Sequence, residues 1–154
     1  MVNSGIEEGA LLYPAEYGIN VNYTIHPELP AIDIERAKSW YKDKLGLDPV
    51  GAEPGDGELF YDTGSARFGV YQSRHAGKNL ATAARLVTSD FDAVHAELLA
   101  NGVVFEVYPV EDNFEAPEGP QPYWDNGALI FPDGEKTAWF KDSEGNILAL
   151  GSSI

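Results

Sequence analysis

The chain carries one pattern twice, and that repetition limits its possible folds more than any other feature. The first copy occupies residues 29–47 and the second residues 86–103. Each copy has a strand-like run, an Asp, a helix-like stretch, and a Gly followed by apolar residues. Asp33 and Asp90 precede the helical stretches, where a short carboxylate accepts the unpaired amides of a first turn. Ile34, Ala37, Tyr41 and Leu45 form one stripe at helical spacing, and Phe91, Val94, Leu98 and Leu99 form the other. Gly46 and Gly102 stand where a left-handed terminator is wanted. The two spans from Asp to Gly differ by one residue, so the pattern is a repeat with a single slip.

Strand signals flank both helices. In the first half they cover residues 21–28, 47–51, Glu58–Asp62 and Arg67–Gln72. In the second half they cover Thr82–Thr88, 103–110, 136–142 and 146–150. Each half therefore reads β-α-β-β-β, and the predicted fold class is α+β. Residues 1–20 form an N-terminal extension, and 21–152 a single domain of module one (21–75) and module two (79–152). An insertion at 111–135 is rich in Pro, Gly, acids and aromatics. Ala128 to Phe131 inside it suggest a short strand, turned by Pro132-Asp133-Gly134. A loop of this length in a compact domain is usually functional or mobile.

Composition enters where it excludes partners and chemistries. At 154 residues and 44% hydrophobic, the chain can bury a core. With no cysteine it has no disulfide framework, thiolate metal site or cysteine nucleophile. Twenty-five acids against ten bases give a net charge of -15, which argues against nucleic acid and anionic membranes as partners. Residues 1–20 carry no basic n-region and no apolar h-region, and no apolar run reaches membrane-spanning length, so a cytoplasmic location is expected. Phosphate loops, Gly-x-Ser-x-Gly elbows and dinucleotide fingerprints are missing.

The run from Asp33 to Leu47, followed far downstream by Trp139-Phe140-Lys141-Asp142-Ser143-Glu144-Gly145-Asn146 and an apolar strand, resembles the glyoxalase/bleomycin-resistance/dioxygenase (vicinal oxygen chelate, VOC) superfamily. The resemblance covers roughly residues 21–152. It implies paired βαβββ modules whose curled mixed sheets surround a cleft with helices outside, and a homodimer. It does not name a reaction, because that fold hosts many. Metal-dependent members place ligands on the first and last strands of each module. The matching positions here hold His26, Ala83 and Ala149, with Gly69 or Tyr71 on the remaining strand. Alanine binds no cation, and a divalent ion wants three or more donors. No metal and no other cofactor is therefore expected, and neither is glyoxalase I chemistry.

Strand parity then defines the expected cleft. Asn22, Thr24, His26 and Glu28 share one face of the first strand, with His26 and Glu28 as the one candidate acid/base pair. Arg67 and Tyr71, and Arg85 in the second module, face the same way. The arginines either clamp an anionic ligand or pair with the abundant acids. Trp139 and Phe140 have opposite parity, so one enters the core and the other faces the cleft. Tyr123 and Trp124 in the insertion suggest a lid or a dimer contact. The leading reading is a protein that binds a small organic molecule without metal, as a sequestering protein or a metal-independent enzyme. Two others stand beside it: a metal-dependent lyase, isomerase or dioxygenase using His26, and a non-catalytic interaction module.

Overall fold

A computed structural model describes residues 24–51, 57–109 and 118–153. Helices α1 (Ile34–Leu45) and α2 (Phe91–Ala100) occupy the two predicted stretches. Asp33 accepts from the Arg36 amide at 3.0 Å, and Asp90 from the Ala93 amide at 3.2 Å. These bonds satisfy donors that no helical carbonyl reaches. Gly46 ends α1 at φ 68, a conformation that costs a residue with a Cβ, and its amide returns to the Lys42 carbonyl.

The first module holds β1 (Glu28–Ala31), β2 (Glu58–Asp62) and β3 (Arg67–Gln72), in the order β1-β3-β2. The second holds β4 (Thr82–Thr88), β5 (Phe105–Glu106), β6 (Tyr123–Asp125), β7 (Ala128–Ile130), β8 (Lys136–Lys141) and β9 (Ile147–Ser152). Their order is β4-β9-β8-β7-β6, with β5 also paired to β8. The sequence repeat is a repeat in space. β1 runs parallel to β3 as β4 does to β9, and Ala31 faces Gln72 as Thr88 faces Ser152. The α+β class read from the sequence is the class of the structure.

Three expected strands are displaced or shortened. The first begins at Glu28 and not at residue 21; residues 21–23, and the extension 1–20, lie outside the described residues. The strand falls on the apolar run that opens the first copy of the repeat, and that run contains Pro30. The structure accommodates it because β1 is an edge. The Pro27 and Ala31 carbonyls accept from β3 and its following loop, so alternation turns the amide-less Pro30 nitrogen toward the free edge. The stretch 47–51 contributes one bridge, Gly51 to Phe60, and 103–110 only the two residues of β5. Tyr123 and Trp124 belong to a strand and not to a loop. β6 and β7 form a hairpin whose two-residue turn has Asn126 at φ 47 and Gly127 at φ 78, the left-handed pair such turns need.

One hydrophobic core serves both modules. It includes Leu29, Leu59 and Val70 from the first, and Phe140, Leu148 and Leu150 from the second. Tyr41 of α1 lies 5.3 Å from the Tyr61 ring, and Trp40 stacks on Phe140 at 6.2 Å. A polar network at the β8–β9 turn fastens the modules together. Tyr41 Oη donates to Asp142 Oδ2 at 2.9 Å, and Asn146 Nδ2 donates to the Pro30 carbonyl at 2.8 Å. Glu144 accepts from the Ile32 and Asp33 amides and from the Arg36 guanidinium. The helix-bearing faces of both sheets thus meet in one core, and the opposite faces carry neither helix, although Leu129, Thr137 and Ala149 there are buried. No helix among the described residues is long and apolar enough to cross a membrane.

Candidate functional site

Register decides which side chains stand on the open face of the larger sheet. Trp139 faces Ala149, Thr137 faces Gly151, Leu129 faces Thr137 and Trp124 faces Leu129. Cross-strand partners share a face, so these residues form one row from β9 to β6. Arg85 joins them opposite Ala149, while Ala84 and Leu86 turn to the core with Leu148 and Leu150. A bulge between Thr82 and Ala84 interrupts the expected alternation on β4 and puts Thr82 on the open face. There the Trp139 indole donates to Thr82 Oγ1 at 3.2 Å.

The row makes an aromatic wall with charged groups beside it. Trp124 and Trp139 lie 6.0 Å apart, and Tyr108 meets Trp139 edge to face at 6.3 Å. The Tyr108 hydroxyl donates to Glu106, which also pairs with Lys141 at 3.2 Å. Burial, followed by that carboxylate, pushes the Tyr108 hydroxyl up to about 12, so the phenol stays protonated across the physiological range. The Arg85 guanidinium crosses Gly151, where any Cβ would collide with it, and pairs with Glu135 at 2.8 Å. A glycine is thus needed for Arg85 to lie flat on the sheet. Ala149 is buried beneath this surface.

The structure brings Arg85, Trp124 and Trp139 together: parity put Arg85 and one of Trp139 and Phe140 on this face, whereas Trp124 was expected in a lid or a dimer contact. Tyr123 alternates away from Trp124 and is 59% exposed. Tyr108, Thr82 and Glu135 were missed. Tyr108 and Glu106 share a parity opposite to Phe105, which was the available signal; the bulge and the ion pair left none. A second group stands on the open face of the smaller sheet. Glu28 faces Gly69, and Tyr71 faces Glu58 and Pro30. Arg67 is held by Asp62 at 2.8 Å. Burial opposes ionisation of Asp62, but hydrogen bonds from the Gly64 amide and Arg67 hold its carboxyl below the ordinary range. His26 is exposed and precedes β1, with Thr24 Oγ1 3.4 Å from its Nε2. Asn22 lies outside the described residues. His75 is exposed on the linker. His95 is buried between Phe91 and Phe105, at 5.5 and 4.3 Å.

The register also tests a metal centre. Glu28 pairs with Gly69 as Arg85 pairs with Ala149, so these are equivalent positions of the two modules. At Gly69 the space a side chain would fill is taken by Glu28 and Glu58, 3.4 Å from a Cβ placed there. Neither last strand offers a carboxylate or an imidazole, and Ala83 offers no donor. Among the described residues no group of three or more His, Asp or Glu side chains is placed to hold an ion. The donor set does not fit the divalent metal of the metal-dependent members.

Comparison with known proteins identifies the architecture. The family model for the Glyoxalase/Bleomycin resistance protein/Dioxygenase superfamily matches residues 24–150. A glyoxalase/bleomycin resistance protein from Catenulispora acidiphila superposes with a TM-score of 0.59 at 20% identity, covering 85% of this chain and 98% of that one. A bleomycin-binding protein complexed with bleomycin gives 0.58 at 15% identity, with 86% and 99% covered. A lactoylglutathione lyase from Agrobacterium tumefaciens gives 0.59 at 16%, with 86% and 95% covered. These likenesses share the fold, and no curated protein matches the chain.

Proposed function

The chain belongs to the glyoxalase/bleomycin resistance protein/dioxygenase superfamily, and from that premise we propose that it binds a planar organic molecule, without metal, on the open face of its larger sheet. The observation that carries the reading is the Trp124, Trp139 and Tyr108 wall beside the Arg85–Glu135 pair. Two indoles and a phenol offer flat, polarisable area to a conjugated ring, and the ion pair offers a donor and an acceptor at one end. A structurally similar protein is complexed with bleomycin, which makes that compound a suitable first probe. Sequestration fits the site better than catalysis. His26 and Glu28 sit at the start of the smaller sheet, and among the described residues no hydrogen bond joins them to the aromatic wall.

The test is a thermal-shift and calorimetric screen of dialysed protein with bleomycin and a panel of planar heteroaromatics, with and without a chelator. Stabilisation that survives the chelator and falls at least about tenfold in affinity in Trp139→Ala supports the reading. Stoichiometric metal in the dialysed protein, together with chelator-sensitive binding, would overturn it and favour the metal-dependent alternative. No stabilisation by any compound favours an interaction module.

A further inference from the structure

A half-open cavity of about 540 Å³ lies on the other side of the sheets, between α1, α2 and the helix-bearing faces. Phe68 and Leu148 line it from the two sheets, Tyr41 and Leu45 from α1, and Val94 and Leu98 from α2. Small-molecule sites have volumes of roughly 300 to 1,000 Å³ and mostly apolar walls. No side chain of the aromatic wall reaches this cavity, because Trp124, Trp139 and Tyr108 stand on the opposite face.

Its charged groups are few: Arg67 and Arg85 border it but turn their guanidinium groups to the open faces of the sheets, which leaves Lys44 and Glu97, in a chain of net charge -15. Arg67 and Arg85 are engaged by Asp62 and Glu135. Among the described residues six of the ten Lys and Arg side chains have an ion-pair partner; of the other four, Lys38, Arg74 and Lys78 are exposed and Lys44 is half-buried. Its ammonium donates to the Asn101 carbonyl at 2.6 Å, which uses one of three donors. An unpaired cation held half out of water, in a protein with this excess of acids, lacks a counter-charge that a ligand can bring.

We propose that this cavity is a second small-molecule site, which takes a monoanionic amphiphile such as a medium-chain carboxylate. The tail lies on Phe68 and Leu148, and the carboxylate meets Lys44. Glu97 opposes a dianion and sets the preference for a single charge. The site is independent of the aromatic wall, so it stands whether or not the wall binds a ligand.

The experiment titrates the full chain with decanoate and with 1-decanol, by calorimetry and by amide and indole chemical shifts. Decanoate should saturate at one per chain and move the Leu45, Val94 and Leu98 amides, leaving the Trp124 and Trp139 indoles in place. Val94→Phe, which fills the cavity, should weaken both probes at least about tenfold. Lys44→Met should weaken decanoate about fivefold and leave decanol unchanged, while Glu97→Gln strengthens decanoate about twofold. If Val94→Phe does not fold, the decanoate-to-decanol ratio in Lys44→Met decides the question, since that side chain is half exposed. Shifts centred on the indoles, no saturable binding, or unchanged affinity in folded Val94→Phe would each overturn the proposal. So would dissociation of a dimer by decanoate, which would make a second copy the occupant.

Discussion

Glu144 shows how much one side chain of the β8–β9 turn does. Its carboxylate is fully buried and accepts from two backbone amides and from Arg36. Burial pushes its carboxyl up, but those hydrogen bonds outweigh burial and hold it below its ordinary value of 4.5. A depressed carboxyl stabilises the fold above its unfolded value, and that contribution is lost as pH falls through the folded one. Glu144→Ala should therefore cost about 2 kcal/mol at neutral pH, by leaving the Ile32 and Asp33 amides unpartnered. The difference from wild type, followed by urea denaturation, should shrink below pH 4.5. Asp142 works in the other direction. Burial raises it more than its hydrogen bonds from Asn146 and Tyr41 lower it, so its contribution fades as pH rises. Comparing Glu144→Ala with Asp142→Asn across pH separates the two. A residue of opposite sign is Tyr61, which is fully buried with no hydrogen-bond partner for its hydroxyl. Tyr61→Phe should stabilise the protein by about 1 kcal/mol, seen as a higher urea midpoint with unchanged slope.

At the scale of elements, the hairpin β6–β7 carries Trp124 to the wall, and its turn is tightly constrained. Gly127 has φ 78, and a Cβ there would stand 2.9 Å from Phe105 Cβ. Gly127→Ala should loosen the hairpin, lowering the near-ultraviolet signal of the Trp124–Trp139 pair and weakening wall ligands before global stability changes much. The same turn lies beside His95, which is buried between Phe91 and Phe105. Burial lowers His95 below 6.5, against the pull of Asp92 and Asp125 and with the help of Lys136. Stability from neutral His95 is thus present above pH 6.5 and is lost as pH falls toward the folded value. Hydrogen exchange should show the amides of α2 and the hairpin opening first on mild acidification, an effect absent in His95→Gln.

These elements also show what a sequence can disclose. The helices and their ends were legible because an Asp cap and a left-handed Gly act within a single turn. Strands Glu58–Asp62, Arg67–Gln72 and Thr82–Thr88 were legible because turn residues bracket their apolar runs. β1 was placed too early, at residues 21–28, because the alternation there is as strand-like as the run before Asp33, and only pairing with β3 distinguishes them. The pairing of Trp124 with Trp139 depends on the register of three strands and on a turn inside a long insertion, so no local pattern announces it. Glu144 stood only as one member of the downstream run, and its tie between the modules was hidden because its backbone partners lie more than a hundred positions away.

At the scale of the molecule, the two groups of candidate binding residues sit on different sheets. Glu28, Arg67 and Tyr71 occupy the open face of the smaller, and Arg85, Trp124 and Trp139 that of the larger. The sheets share a core through their other faces, so each open face is directed away from that core. Edge strands β1 and β4 each have one unpaired side. A two-fold pair of chains would set the smaller sheet of one against the larger sheet of the other, and would do so twice. We therefore expect a homodimer whose two clefts each draw residues from both copies. Sedimentation should give twice 16.8 kDa. Two copies of net charge -15 repel at long range, so the dimer should tighten from low salt to 0.15 M, where screening acts over about 8 Å. Complementation supplies the decisive result. Trp139→Ala and a Arg67→Ala, Tyr71→Ala double variant should each lose the wall ligand, and a mixture of the two should recover binding at one cleft of each mixed dimer. If the mixture recovers nothing while mixed dimers form, each cleft belongs to a single chain and the larger sheet binds alone.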